Sequence, residues 1–182
     1  RYRGRASLNW AIINGESTVG LTAHFLATGI DSGDIIKQVA VPVAEDEYIN
    51  DVLNRLFPLY ESLTREVLQD FRNTRVTRSP QEHLLASTFS ARRPTDGQID
   101  WCRPATDVKN HVRAISHPYP GAFSSTPKYN LRIWKADTLL DDNPDVPPGT
   151  ILAVDISTVT IKCGYASLLA QAFDIVGSSP QI

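Results

Sequence analysis

Apolar and polar positions alternate twice near the start of the chain. Val19, Leu21 and Ala23 stand between polar or small neighbours over residues 18–25, and a second alternation runs over residues 35–43. A period of two is that of a half-buried strand. Both segments are predicted strands, and the short link between them makes them neighbours. That link, residues 27–33, reads as a loop in which Gly29 and Gly33 supply backbone freedom. Ahead of the first strand, residues 9–14 read as a short helix with Asn9 as N-cap and Gly15 as stop. Residues 1–8 read as an arginine-rich loop.

The period then changes. Val52, Leu53, Leu56, Leu59, Tyr60, Leu63, Val67, Leu68 and Phe71 recur at three- and four-residue steps. This predicts one long amphipathic helix, capped by Asp46, whose apolar stripe packs on the sheet. Pro58 lies inside it and predicts a kink or break near Phe57, because proline removes a helix hydrogen bond and crowds the preceding turn. Residues 73–80 form a polar connection, residues 86–90 a short strand, and Arg92 to Trp101 a run of turn chemistry leading into a buried Trp. Residues 105–115 are a predicted helix with Val108, Val112 and Ile115 on one stripe.

Beyond this point the texture is of short apolar segments: 123–125, 130–134, 150–154, 159–162 and 168–175. Turns rich in Pro, Gly and Asp, such as Asp141 to Gly149, separate them. Closely spaced short strands predict a small barrel or sandwich. The division falls near residue 90, giving a mixed α/β first part over 1–90 and a linker helix with a β domain over 91–182.

Composition narrows this only a little. A chain of 182 residues holds one domain or two small ones. With 42% hydrophobic and 21% charged residues it is ordinary for a globular protein, and a net charge of -2 leaves no basic footprint for nucleic acid. No apolar run approaches the roughly 20 residues of a membrane span, and no signal-peptide pattern opens the chain. Met is absent, so a fragment or processed piece of a longer protein is expected. Cys102 and Cys163 lie far apart and read as reduced thiols of a cytoplasmic protein. His24, His83, His111 and His117 show no HxxxH or HxH pairing, so no metal is expected.

Candidate chemistry begins with Asp31, just past a strand end and between two glycines. Taken alone, it is a turn residue bonding its own backbone. The spacing of acids fails for a calcium loop. Arg1, Arg3 and Arg5 fit an anion site, since guanidinium forks grip phosphate and carboxylate, and fit a solvated loop equally well. There is no GxGxxG and no P-loop.

Several spaced blocks, in order, carry a resemblance. They are Tyr2-Arg3-Gly4-Arg5-Ala6 with Asn9-Trp10-Ala11 and Asn14-Gly15-Glu16, then Gly20-Leu21-Thr22-Ala23-His24 and Asp31-Ser32-Gly33-Asp34-Ile35-Ile36. Arg92-Arg93-Pro94, Asp96-Gly97, Ile99-Asp100-Trp101, Val112-Arg113-Ala114 and Pro118-Tyr119-Pro120-Gly121-Ala122-Phe123 follow. Together they resemble the 10-formyltetrahydrofolate-dependent formyltransferase superfamily over nearly the whole chain. The resemblance implies the C-terminal part of a Rossmann-like catalytic domain over 1–90, then a small OB-like β-barrel domain. It implies 10-formyltetrahydrofolate as co-substrate and transfer of its formyl group to a primary amine.

The family's catalytic set is an Asn and a His close in sequence, with a more distant Asp. By the resemblance only the Asp falls in this chain, as Asp31. The Asn and His are expected upstream of Arg1, so these residues alone are expected to be inactive. A carboxylate beside that imidazole favours its protonated form, while oxyanion donors stabilise the tetrahedral adduct. The backbone of Ala27, Thr28, Gly29, Ile30 and Asp31 resembles the loop that holds the pterin ring, and Arg5 resembles an arginine beside the folate. His24 is expected to be structural or to back the loop.

The forms Tyr2-Arg3-Gly4-Arg5, Asn9-Trp10-Ala11, Arg92-Arg93-Pro94-Thr95-Asp96-Gly97 and Pro118-Tyr119-Pro120-Gly121 resemble the branch acting on nucleotide-linked amino sugars, such as UDP-4-amino-4-deoxy-L-arabinose. The acidic turn Asp141-Asp142-Asn143-Pro144-Asp145 points the same way, since a tRNA surface is rich in Lys and Arg. A methionyl-tRNA acceptor is the alternative, and an inactive piece serving as a binding module is the third reading. The implied partner is a small-molecule nucleotide sugar, with tRNA under the alternative only, no membrane, and a homo-oligomer left open. Trp101 and Trp134 are expected to anchor the second domain rather than stack on a ligand.

Overall fold

The structure, a computed structural model, describes residues 1–141 and 143–177. The chain divides into two compact units. Residues 1–11 with 16–92 form the first, and residues 12–15 with 93 onward form the second.

The first unit is built on an antiparallel pair, β2 (Thr18–His24) and β3 (Ile35–Pro42). Val19 opposes Val41 and Leu21 opposes Val39, and Val19 and Leu21 are buried, as the alternation requires. The register slips between Ala23 and His24. Ahead of the pair stand a two-residue strand, β1 (Arg3–Gly4), and a helix, α1 (Ser7–Ile13). The predicted loop over residues 1–8 therefore contains a strand. It pairs in parallel with β4 (Thr88–Phe89), Arg3 against Thr88 and Gly4 against Phe89. Two residues are too few to leave a periodic trace.

The long helix is α2 (Ile49–Arg72), and Pro58 lies within it without ending it. Its N-cap is Tyr48 rather than Asp46, with the Tyr48 N–H donating to Asp51 at 2.9 Å. Ile49, Val52, Leu56 and Leu63 are buried where α2 lies on β2 and β3. Phe57, Tyr60, Leu68 and Phe71 stay exposed, so the stripe is wider than the surface two strands offer. Lys37 on β3 reaches Glu66 at 2.8 Å and Asp70 at 3.4 Å on α2. The Glu66 hydrogen bond, opposed by desolvation and helped by Asp70, holds the Lys37 ammonium above its usual range.

In the second unit α3 (Ala105–Ile115) lies on an open sheet of β5 (Ala122–Ser125), β6 (Tyr129–Leu139), β7 (Ile151–Val154), β8 (Val159–Lys162) and β9 (Ser167–Gly177). The strand order is β5-β6-β9-β8-β7, all antiparallel. Among the described residues β5 and β7 do not pair, so no closed barrel forms. Val108, Val112 and Ile115 of α3 are buried, as are Ile133, Leu168 and Ala170 of the sheet. Trp101 is half-buried and donates to the Ser124 hydroxyl at 3.0 Å; Trp134 donates to Asp174 at 2.7 Å and stacks on His117. Both are held by protein partners.

Asp141 is not a solvated acid. It pairs with buried Lys162 and accepts from buried Ser167, and these hold its carboxyl below the usual range. The acidic turn is thus partly an internal charge partner, which weakens the argument drawn from it; Asp142 lies outside the described residues.

Cys163 is fully buried, and burial pushes its thiol up to about 11. A raised value means that folding favours the protonated form. That contribution is complete below the unfolded thiol's range and is lost as pH climbs through about 11. The stability of the parent chain relative to Cys163→Ala is expected to fall by about 2 kcal/mol between pH ~8.5 and ~11.5. Urea unfolding under reducing conditions measures it; a pH-independent difference refutes it.

Candidate active site

Asp31 stands at the tip of the β2–β3 connection with its side chain 46% exposed. Its backbone is left-handed, at φ 48°. This region is sterically costly for most residues and best tolerated by Gly, Asn and Asp. The chain pays this strain to aim one carboxylate, which makes the position a functional candidate.

The carboxylate is gripped from the other segment. The Gly4 N–H donates to Asp31 Oδ2 at 2.8 Å. That N–H is aimed by an unusual stretch in which Tyr2, Gly4 and Ala6 all have positive φ, at 58°, 98° and 55°. Gly4 is obligatory there. A Cβ on it would come within 2.4 Å of the Phe89 carbonyl oxygen on β4. On either side, the Arg3 and Arg5 amides donate to Ser87 and Phe89 carbonyls at 2.8 and 3.2 Å. Aromatic rings fix the same stretch: Phe89 stacks with both Tyr2 and Trp10, each at 5.1 Å between centroids.

His24 approaches the same acid. Its Nε2 lies 3.8 Å from Asp31 Oδ1, beyond a hydrogen bond, while its Nδ1 is 2.9 Å from the Phe25 carbonyl oxygen. The register slip beside it is a strand irregularity of the kind that re-aims side chains. His24 thus lies beside the acid on β2 without hydrogen-bonding it.

The neck of the loop is tight. The Phe25 N–H donates to the Asp34 carbonyl at 2.9 Å, and Ile35 and Ser79 exchange two backbone hydrogen bonds. Arg78 lies over the Phe25 ring, 3.8 Å from its centroid. Between neck and tip, Ala27, Thr28, Gly29 and Ile30 are exposed, with Ile30 at 69%.

The three arginines part ways. Arg1 pairs with Glu16, which also accepts from the Tyr2 hydroxyl. Arg3 donates to Gln81 Oε1 through Nε and Nη2, at 3.2 and 2.5 Å. Arg5 is exposed one residue beyond Gly4. Arg1 and Arg3 thus have side-chain partners within the chain, Arg1 at the surface, and Arg5 stays the candidate for an anion. Gln81 was not singled out in the sequence. It sits just past the polar connection over residues 73–80, where one more amide is no signal. Its Nε2 donates to the carbonyls of Asp31 and Gly33 at 3.0 and 2.6 Å. Among the described residues no group of three or more His, Cys, Asp or Glu is placed to hold a metal. No helix among them is long and apolar enough to cross a membrane.

Comparison with known proteins gives the site its setting. Residues 1–68 match the formyl transferase family model, and residues 92–178 match the formyl transferase C-terminal domain. Among solved structures, the chain is similar to the N-formyltransferase of Helicobacter canadensis, solved with folinic acid and dTDP-3-aminofucose. The TM-score is 0.74 at 20% identity, over 94% of this chain and 62% of that one. WlaRD, a sugar 3N-formyl transferase solved in the presence of dTDP and 5-N-formyl-THF, gives 0.71 at 21%, over 94% and 61%. Methionyl-tRNA formyltransferase from Clostridium thermocellum gives 0.61 at 18%, over 97% and 64%. The chain therefore spans a little over three fifths of each of these relatives. With both family models matched in order, and the α/β fold shared with solved members, this chain belongs to the formyltransferase family.

Proposed function

We propose that these residues belong to an enzyme that moves the formyl group of 10-formyltetrahydrofolate to the primary amine of a nucleotide-linked amino sugar. The observation that carries this is Asp31, an exposed carboxylate held at a strained backbone position by the Gly4 N–H. Residues 1–90 are assigned to the C-terminal part of a Rossmann-like catalytic domain, and 91–182 to the linker helix and C-terminal β domain.

This chain's contribution is the acid. In this reading Asp31 sits beside the family's His, outside residues 1–182, and favours its imidazolium form for proton transfer near neutral pH. The exposed backbone of Ala27 to Ile30 forms one wall for the pterin, and Arg5 lies beside the folate. 10-Formyltetrahydrofolate supplies the activated one-carbon unit. Asp31 binds no metal in this scheme, and the enzyme is assigned to the cytoplasm.

Two sugar N-formyltransferases among the neighbours support the sugar acceptor, as do the motif forms around Arg5 and Tyr119. The methionyl-tRNA relative keeps the second reading alive. Assay of the native protein carrying these residues, with 10-formyltetrahydrofolate and a dTDP- or UDP-amino sugar, is expected to give the N-formylated sugar nucleotide. Formylation of charged initiator tRNA instead would replace the acceptor and keep the chemistry. No transfer to either would leave the binding-module reading.

A further inference from the structure

We propose that Gln81 is a positioning residue for formyl transfer, whose side-chain amide fixes the Asp31 carboxylate by holding its loop from behind. The inference rests on the reading of Asp31 given above.

The tip of the loop has little else to hold it. Leu26 is 97% exposed and Ile30 69%, so neither anchors it in a core. Asp31 nevertheless keeps a left-handed backbone that most residues avoid. Such a conformation persists only where its surroundings over-determine it. One NH2 group does much of this: Gln81 Nε2 donates to the carbonyls of Asp31 and Gly33, drawing the residues on either side of Ser32 onto one point. Ser32 adds a local bond to the Gly29 carbonyl at 2.9 Å.

The other end of the amide is also used. Gln81 Oε1 accepts two hydrogen bonds from Arg3, whose guanidinium lies 3.2 Å from His83 Nδ1 as well. The residue after Arg3 is Gly4, whose N–H grips the carboxylate. One neutral side chain therefore joins both halves of the grip, the backbone that carries Asp31 and the strand that binds its oxygen. Neutrality matters. A carboxylate at this position would face two carbonyl oxygens, and an ammonium would offer Asp31 a competing ion pair.

Gln81→Met keeps the length and removes both functions. Hydrogen exchange of the chain should show the Gly4 amide exchanging at least tenfold faster in this variant, with the Arg3 and Arg5 amides unchanged. Equal acceleration of all three, or of none, overturns the proposal. In the native protein carrying these residues, Gln81→Met should lower kcat/KM about 100-fold, mainly in kcat, as expected for a displaced catalytic group. Gln81→Glu should recover activity relative to the parent as pH falls, because a protonated acid can again donate to a carbonyl. Gln81→Met should show no such recovery, and a flat ratio in both refutes the donor role. Asp31→Asn measured alongside separates the two failures. If it abolishes transfer while Gln81→Met does not, this inference alone falls; if it leaves transfer intact, both readings fall.

Discussion

Asp31→Asn is expected to lower kcat for formyl transfer about 1,000-fold while leaving the fold intact. The structure makes this substitution unusually clean. Asn tolerates left-handed backbone as Asp does, so φ 48° remains accessible. Its amide oxygen can still accept the Gly4 N–H in place of Oδ2. What disappears is the negative charge. General acid–base contributions of this kind are worth about 10²–10⁴ in rate. The side chain is nearly half exposed, so little folding energy rides on the charge, and thermal unfolding should shift by only a few degrees. Asp31→Ala should lose as much activity and somewhat more stability, because it forfeits the hydrogen bond and places a poor residue at positive φ. Turnover within tenfold of the parent in Asp31→Asn would remove this acid from the chemistry.

The β2–β3 pair, α2 and α3 announce themselves because each buries a face, and burial imposes a period on the residues. The strands of the second unit are visible for the same reason, though β6 runs on to Leu139, well beyond its expected end at residue 134. Asp31 becomes a candidate through its neighbours in a motif, not through its own chemistry, since an Asp between glycines is also an ordinary turn. Pro58 does not break α2, because the rest of the helix is held by the buried contacts of Ile49, Val52, Leu56 and Leu63, which outweigh one lost hydrogen bond. The grip itself left no trace. It consists of a backbone N–H, a two-residue strand, left-handed Tyr2 and Ala6, and one glutamine, none of which carries periodicity. The geometry around Asp31 is written in backbone conformation, where residue type constrains least.

Gly33→Ala is expected to destabilise the first unit by about 3 kcal/mol and to cut formyl transfer about 100-fold. A Cβ at this position would stand 1.8 Å from the Phe25 carbonyl oxygen and 2.7 Å from its carbon. Those atoms are backbone, so no rotamer change relieves the clash. The Phe25 N–H is committed to the Asp34 carbonyl, and the Gly33 carbonyl to Gln81. One methyl therefore opens the neck and moves the tip that carries Asp31. Gly29→Ala is the control, on the same loop. Its Cβ would meet only the Ser32 side chain, the hydroxyl oxygen at 2.7 Å and the Cβ at 3.3 Å; the hydroxyl can rotate away at the cost of one exposed hydrogen bond, and the Cβ contact needs a shift of only a few tenths of an ångström in an exposed loop. Its stability should stay within about 1 kcal/mol of the parent. Urea unfolding midpoints of the two variants, read beside kcat/KM, test the pair. If Gly33→Ala is as stable as Gly29→Ala, the neck is not the close backbone contact that positions the acid.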